Sequence, residues 1–314
     1  MGNAIEIDGL GKEYRRRGGR TVAVGGLDLS VPEGGVFGFC GPNGSGKTTT
    51  IRCLLGLVRP TRGTLRLLGS AVPDDLATTI RRVGAIVETP ALFPTMTGRR
   101  NLELLGAVDR IGSRRVDEVL DVVGLRERAD EAVKGYSLGM RQRLGLGSAL
   151  LKDPELIILD EPANGLDPAG IAQVRSLLRR LGDEGRTVFV SSHLLSEVEA
   201  TCDRVAILNK GRLVSSGTVT EVLGGDADLL VRVADLDAAV SVLARAGVAA
   251  TRVEDHVRVP PGVDPDHVSC TLGSAGHWVT ELRPLQRSLE ERFFELTADL
   301  PAVDAAAMTE EVTS

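Results

Sequence analysis

Apolar positions recur along this chain in two rhythms, and the change between them places the elements. Residues 5–10 and 27–31 alternate apolar with polar, the mark of strands with one face on a core. The first reads as an edge strand, and the second ends at a Pro-Glu-Gly-Gly turn over 32–35. Residues 64–68 alternate in the same way. By contrast, the runs 36–40, 83–87, 156–159, 187–190 and 204–208 are almost continuously apolar. Runs this short suit strands covered on both faces, as in the parallel sheet of an α/β fold. Helical spacing fills the intervals: about 47–57 (stopped by Pro60), 97–124 (closed by Gly124), 140–151 (capped by Ser137), 167–181 and 194–202. Asn209-Lys210-Gly211 turns the chain back as a hairpin into 213–215.

Beyond residue 220 the pattern starts afresh. Strands are expected over 229–233, 249–253 and 257–259, with a helix over 236–246 closed by Gly247. Ser288-Leu289-Glu290-Glu291 is a capping box that opens a last helix through Thr297. Charge changes at the same place. Residues 221–314 hold 7 basic and 17 acidic side chains, a net of −10, while 1–220 hold 30 and 26, a net of +4. The expected division is therefore a large domain over 1–220, an accessory domain over 221–300, and a small, acidic, disordered tail over 301–314. So acidic a C-terminal part argues against nucleic acid as a partner.

Overall composition narrows the class without naming it. With 42% hydrophobic and 25% charged residues the chain is globular, and no apolar run reaches the 18 residues of a membrane span. The N-terminus lacks a basic-then-apolar signal region. Cys40, Cys53, Cys202 and Cys270 lie far apart with no C-x-x-C, as expected of reduced, mostly buried thiols in the cytosol.

The first candidate chemistry lies where the 36–40 run meets the 47–57 helix. Gly41-Pro42-Asn43-Gly44-Ser45-Gly46-Lys47-Thr48 fits G-x-x-x-x-G-K-[ST] without a mismatch, in the strand–loop–helix setting that motif needs. Its backbone N–H groups converge on phosphate, and the helix N-terminus adds positive potential. Lys47 would reach the β- and γ-phosphates, and the Thr48 hydroxyl would be a ligand of Mg²⁺. Only five of the 37 basic residues are lysines, and one falls here. The 156–159 run ends in Asp160 and Glu161, where an α/β sheet presents ligand groups. Asp160 suits a holder of Mg²⁺ and Glu161 a general base for water. Two adjacent carboxylates also suit a plain solvated strand end.

With these motifs in order, residues 1 to about 220 resemble the nucleotide-binding subunit of an ATP-binding cassette (ABC) transporter. Tyr136-Ser137-Leu138-Gly139-Met140-Arg141-Gln142-Arg143 matches the signature stretch, Asp160-Glu161-Pro162 the second Walker motif, Gly165-Leu166-Asp167 the D-loop and Ser191-Ser192-His193 the histidine switch. The resemblance implies a P-loop NTPase of ABC type: a RecA-like α/β core with antiparallel β and α-helical subdomains, followed here by a small α+β domain. It implies ATP and Mg²⁺ as cofactors, with residues 41–49, including Thr49, around the phosphates and Tyr14 stacked on adenine. It also implies a homodimer in which each ATP lies between the phosphate loop of one copy and Ser137 and Gly139 of the other. Glu161, His193 and Lys47 would be the catalytic residues, with His193 on the γ-phosphate. Plainer readings stand beside these: Tyr14 as cover for a strand, Ser137 as a helix cap, His193 as a structural histidine.

Two positions depart from the family pattern. Leu138 replaces the first signature glycine, and Glu88 stands where glutamine is expected after the 83–87 strand. Glu88 can still reach Mg²⁺ or water through oxygen, but as a charge. Both departures, and more weakly the ending 288–297, resemble exporters of the daunorubicin- and bacitracin-resistance type. The implied role is an ATPase subunit that drives export through a separately encoded membrane permease, held on the cytoplasmic face of the membrane. Rival readings are a soluble ABC ATPase of translation or DNA repair, and a nucleotide-gated regulatory protein. The absence of a long coiled-coil or zinc insertion counts against the first, and the presence of Glu161 and His193 against the second.

Overall fold

Burial on both faces governs the largest sheet. In the computed structural model, which describes residues 2–16, 19–88, 90–224, 227–285 and 288–298, six strands run in the order β10-β9-β3-β8-β7-β6. These are β3 (Gly35–Cys40), β6 (Val83–Ile86), β7 (Leu156–Asp160), β8 (Thr187–Ser192), β9 (Arg204–Asn209) and β10 (Arg212–Thr218). All pair in parallel except β10, which returns antiparallel on β9 through the Lys210-Gly211 turn. Every residue of β7 is buried, as the continuous apolar run requires. A second sheet, β2-β1-β4-β5, is antiparallel and comprises β1 (Asn3–Arg16), β2 (Gly19–Pro32), β4 (Arg62–Leu67) and β5 (Ser70–Val72). One core joins them: Ile5, Leu10, Leu27 and Leu65 from the antiparallel sheet meet Ile51 and Leu54 of the Lys47–Leu54 helix and Phe39, Ile158 and Phe189 of the parallel sheet.

This arrangement revises some sequence expectations. β1 lies between β2 and β4, so it is an inner strand rather than an edge. Helical residues 97–124 form two helices, Gly98–Val108 and Ser113–Val122. They part where Arg110 takes φ 58° and the Ile111 N–H turns back to the Gly106 carbonyl. Both pack with the Leu138–Leu150 helix. Residues 17–18 and the tail (301–314) lie outside the described residues.

Contacts divide the described residues into two compact units, one of 2–219 together with residues from Phe293 onward, the other Thr220–Arg292. The second unit runs β11 (Asp228–Val233), helix Leu236–Arg245, β12 (Thr251–Val253), β13 (His256–Val259), helix Pro265–Ser274 and β14 (Val279–Leu285). Its antiparallel order β12-β13-β11-β14 is the ferredoxin-like split βαβ arrangement. Val231, Val257 and Val259 of the sheet pack on Ala239, Leu243, Val268 and Leu272 of the two helices. Ser288 and Glu291 form the expected reciprocal cap, each accepting the other's backbone N–H.

Aromatic rings are rare here, yet three of the six phenylalanines meet in the first core. The Phe189 ring lies 5.9 Å from Phe37 and 5.1 Å from Phe39, locking β8 to β3. Phe189→Ala leaves a cavity at that seam and should lower unfolding free energy by about 3–5 kcal/mol. Chemical denaturation of the two proteins side by side measures it.

Candidate functional site

Strand order brings the chemistry together. β8 lies between β3 and β7, with Cys40 paired to Ser192 and Asp160 paired to Ser191. The phosphate loop after β3, the acidic end of β7 and the Ser191-Ser192-His193 turn therefore leave the sheet at the same edge, its carboxyl end.

The loop is held by close approach to its surroundings. A Cβ on Gly41 would lie 2.2 Å from the Leu208 carbonyl oxygen, and one on Gly46 (φ 104°) 2.6 Å from that of Ala23. Only glycine fits either place. The first bond of the following helix runs from the Thr50 N–H to the Gly46 carbonyl, and no side chain caps the helix. The N–H groups of 47–49 thus have no acceptor within the helix. Ser45 Oγ is buried without a partner, while Pro42, Asn43 and Gly44 are exposed and Thr48 and Thr49 half-buried. Unsatisfied donors around an open glycine turn fit an anion. Cys40, the residue before the loop, is no nucleophile, because burial pushes its thiol up to about 12.

Lys47 is 5% exposed. Its Nζ donates to the Gly41 carbonyl at 2.7 Å and the Pro42 carbonyl at 3.3 Å, and lies 3.4 Å from Glu161 Oε1. The other Glu161 oxygen, Oε2, lies 2.7 Å from His193 Nδ1 and accepts the His193 backbone N–H at 3.3 Å. Since a carboxylate only accepts, Nδ1 carries the ring hydrogen. Asp160, 2% exposed, accepts the Ser191 hydroxyl at 2.5 Å, and the same hydroxyl accepts the Glu161 N–H at 3.0 Å. Glu161 adopts φ 51°, a left-handed conformation uncommon outside glycine. The two consecutive carboxylates face different partners: Asp160 faces Ser191, and Glu161 faces Lys47 and His193.

Other expected residues lie elsewhere. The Glu88 carboxylate is joined to the guanidinium of Arg52, not to Thr48 or Asp160. Tyr14, near the end of β1, has the Lys12 ammonium over its ring at 5.1 Å, and Lys12 also donates to the Arg59 carbonyl. Ser137 is exposed and accepts the Met140 N–H at 3.2 Å, capping the Leu138–Leu150 helix. Leu138 is 42% exposed, and its Cδ2 would be 3.3 Å from a Cβ on Gly165. Leu166 Cδ2 would be 3.9 Å from one on Gly139. The signature turn is thus packed on its own chain's D-loop, whose Asp167 caps the Pro168–Asp183 helix. Among the described residues, no hydrogen bond or ion pair joins Ser137 or Gly139 to the phosphate loop of the same chain.

Sequence reading assigned no separate role to Ser191, Arg52 or Lys12. Ser191's signal was its place in the Ser191-Ser192-His193 match at a strand end; the other two are visible only as contacts in space.

A glycine-held phosphate loop with a buried lysine, set beside an acidic strand end, defines a P-loop nucleoside triphosphatase. Residues 24–164 match the family model described as ABC transporter. The chain is 42% identical over 227 residues to the bacitracin transport ATP-binding protein BcrA of Enterococcus faecalis, covering 71% of each. It is 36% identical over 319 residues to the daunorubicin resistance ATP-binding protein DrrA3 of Streptomyces coeruleorubidus, covering 97% of this chain and 99% of that one. Among solved structures it is similar to the dimeric ATP-binding cassette MJ0796 in a post-hydrolysis state bound to ADP and Pi. That likeness has TM-score 0.62 and 26% identity, covering 68% of this chain and 98% of that chain. The chain belongs to the ABC transporter family, as one of its ATP-hydrolysing, nucleotide-binding proteins.

Ser191→Ala removes the hydroxyl that serves both Asp160 and the Glu161 N–H. It should lower stability by about 1–3 kcal/mol, the usual cost of a buried group left unpaired. ATP affinity should stay within a few-fold of wild type while kcat falls about tenfold, read from binding titrations and steady-state hydrolysis.

Proposed function

We propose that this chain is the subunit that powers an export-type ABC transporter, hydrolysing ATP in pairs of copies and acting on a separate membrane permease. The observation that carries the reading is the Lys47–Glu161–His193 arrangement at the mouth of the phosphate loop. BcrA and DrrA3, similar over most of their length, are named for bacitracin transport and daunorubicin resistance, which supports efflux of a drug or peptide. No described helix is long and apolar enough to cross a membrane. The place of work would be the cytoplasmic face, through the permease.

In this reading the N–H groups of the loop and of 47–49 bind the phosphates, and Lys47 turns from its carbonyl partners and Glu161 to the β- and γ-oxygens. Thr48 and Asp160 would hold Mg²⁺, which neutralises charge on the phosphates when bound. Among the described residues no cluster of three or more His, Cys, Asp or Glu forms a cation cage by itself, in keeping with a metal held chiefly by hydroxyl, carboxylate and phosphate oxygens. Glu88 joins that set only if it leaves Arg52. Freed from Lys47, Glu161 accepts the proton of attacking water, and His193, fixed through Nδ1, points its other nitrogen toward the transferred phosphate. Ser137 and Gly139 serve the partner copy's nucleotide, since their helix N-terminus suits an anion. Tyr14 stacks on adenine. The second unit is an accessory to regulation or dimer contact.

Lys47→Ala tests the reading. The variant should lose hydrolysis altogether and bind ATP at least tenfold more weakly, with unchanged circular dichroism. Wild-type turnover in this variant would overturn it.

A further inference from the structure

A third carboxylate stands at the acidic end of the parallel sheet. β6 pairs with β7, Ile86 against Leu159, so the turn that carries Glu88 leaves the sheet beside Asp160 and Glu161. Glu88 holds φ 63° and, at 60% exposed, is in an ion pair with Arg52. Arg52 is in the last turn of the helix that begins at Lys47. One helix thus supplies two cations to two carboxylates: Lys47 to Glu161 and Arg52 to Glu88. Lys47 contacts Glu161 and two carbonyls here and turns to the phosphates in the proposed reading, so Arg52 is the cation of this helix that faces Glu88.

Stability is a poor reason for the Arg52–Glu88 pair, because exposed ion pairs contribute little. Electrostatics gives a better one. ATP brings several negative charges to this edge, and an unpaired carboxylate beside the loop would oppose them. We propose that Arg52 is a positioning residue for nucleotide binding, holding Glu88 on the phosphate-loop helix and cancelling its charge so that a carboxylate here does not repel the terminal phosphate. This rests on the reading of residues 41–49 as the nucleotide site. The role is carried by the pair, so removing the arginine alone should harm binding and removing both charges should not.

The test is a double-mutant cycle on the full chain, with dissociation constants for ATP and ADP measured by calorimetry in EDTA, so that no metal bridges carboxylate and phosphate. R52M keeps the length of the side chain and its packing along the helix without the charge. R52M should weaken ATP binding about tenfold, the effect of one uncancelled charge at partly screened range, and ADP binding much less. R52M/E88Q should return to within about twofold of E88Q alone. The cycle is run in parallel with R52Q, which serves if R52M does not fold. A double variant as weak as R52M would show that Arg52 acts without Glu88 and would overturn the proposal, as would wild-type ATP affinity in R52M. A wild-type protein that binds neither nucleotide, in EDTA or with Mg²⁺, would overturn the nucleotide-site reading along with it.

Discussion

One ammonium group, almost wholly withdrawn from water, sets the terms for everything around it. Lys47 Nζ has two carbonyl oxygens of its own loop and one carboxylate oxygen as partners. A charge so buried is tolerated only when its partners are close and fixed. The carbonyls are fixed because Gly41 and Gly46 press against the backbone of Leu208 and Ala23. The carboxylate is fixed because Glu161 takes a left-handed turn and is held from behind by His193. A nucleotide that draws Lys47 to phosphate removes one of the two cationic or hydrogen-bonding partners of Glu161. In the proposed reading, where Glu161 activates water, it is therefore restrained until phosphate arrives.

Sheet topology makes that coupling possible. With β8 between β3 and β7, Ser191 reaches the Asp160 carboxylate and the Glu161 backbone, while His193 reaches the Glu161 side chain. The antiparallel sheet contributes differently: its apolar face completes the core under the Lys47–Leu54 helix and so sets that helix's height against the loop. The ferredoxin-like second unit has a valine- and leucine-rich core of its own. Its acidity is partly offset by internal ion pairs such as Arg232 with Asp255 and Glu281.

Much of this was legible because the motifs are local. The phosphate loop, the Asp160-Glu161 strand end and the Asp167-Pro168 helix start each occupy a few consecutive residues with a direct physical meaning. The strand 156–160 and the α/β class followed from continuous apolarity. What stayed hidden is long-range. Alternation told that residues 5–10 face a core on one side, but not that a partner strand lies along each edge. Arg52 and Glu88 are 36 residues apart, and nothing in either segment announces the other. The Pro265–Ser274 helix did carry the same signal as 167–168, an Asp cap followed by proline, yet its sparse apolar positions left the period faint. β14 includes Pro284, which speaks against a strand, and as an edge strand it can carry one.

In the proposed reading the nucleotide site needs two copies. Leu138, between Ser137 and Gly139, lies against Gly165 of its own D-loop, and no hydrogen bond or ion pair among the described residues links Ser137 or Gly139 to their own phosphate loop. The most direct measurement is the oligomeric state of Glu161→Gln by sizing chromatography with light scattering, with and without Mg-ATP. This variant keeps side-chain size and hydrogen bonding but cannot accept the proton, so the chemical step should slow by roughly two to four orders of magnitude. ATP should then stay bound between two copies, giving a dimer with Mg-ATP and a monomer without it. A variant that binds ATP and remains monomeric would contradict the shared site.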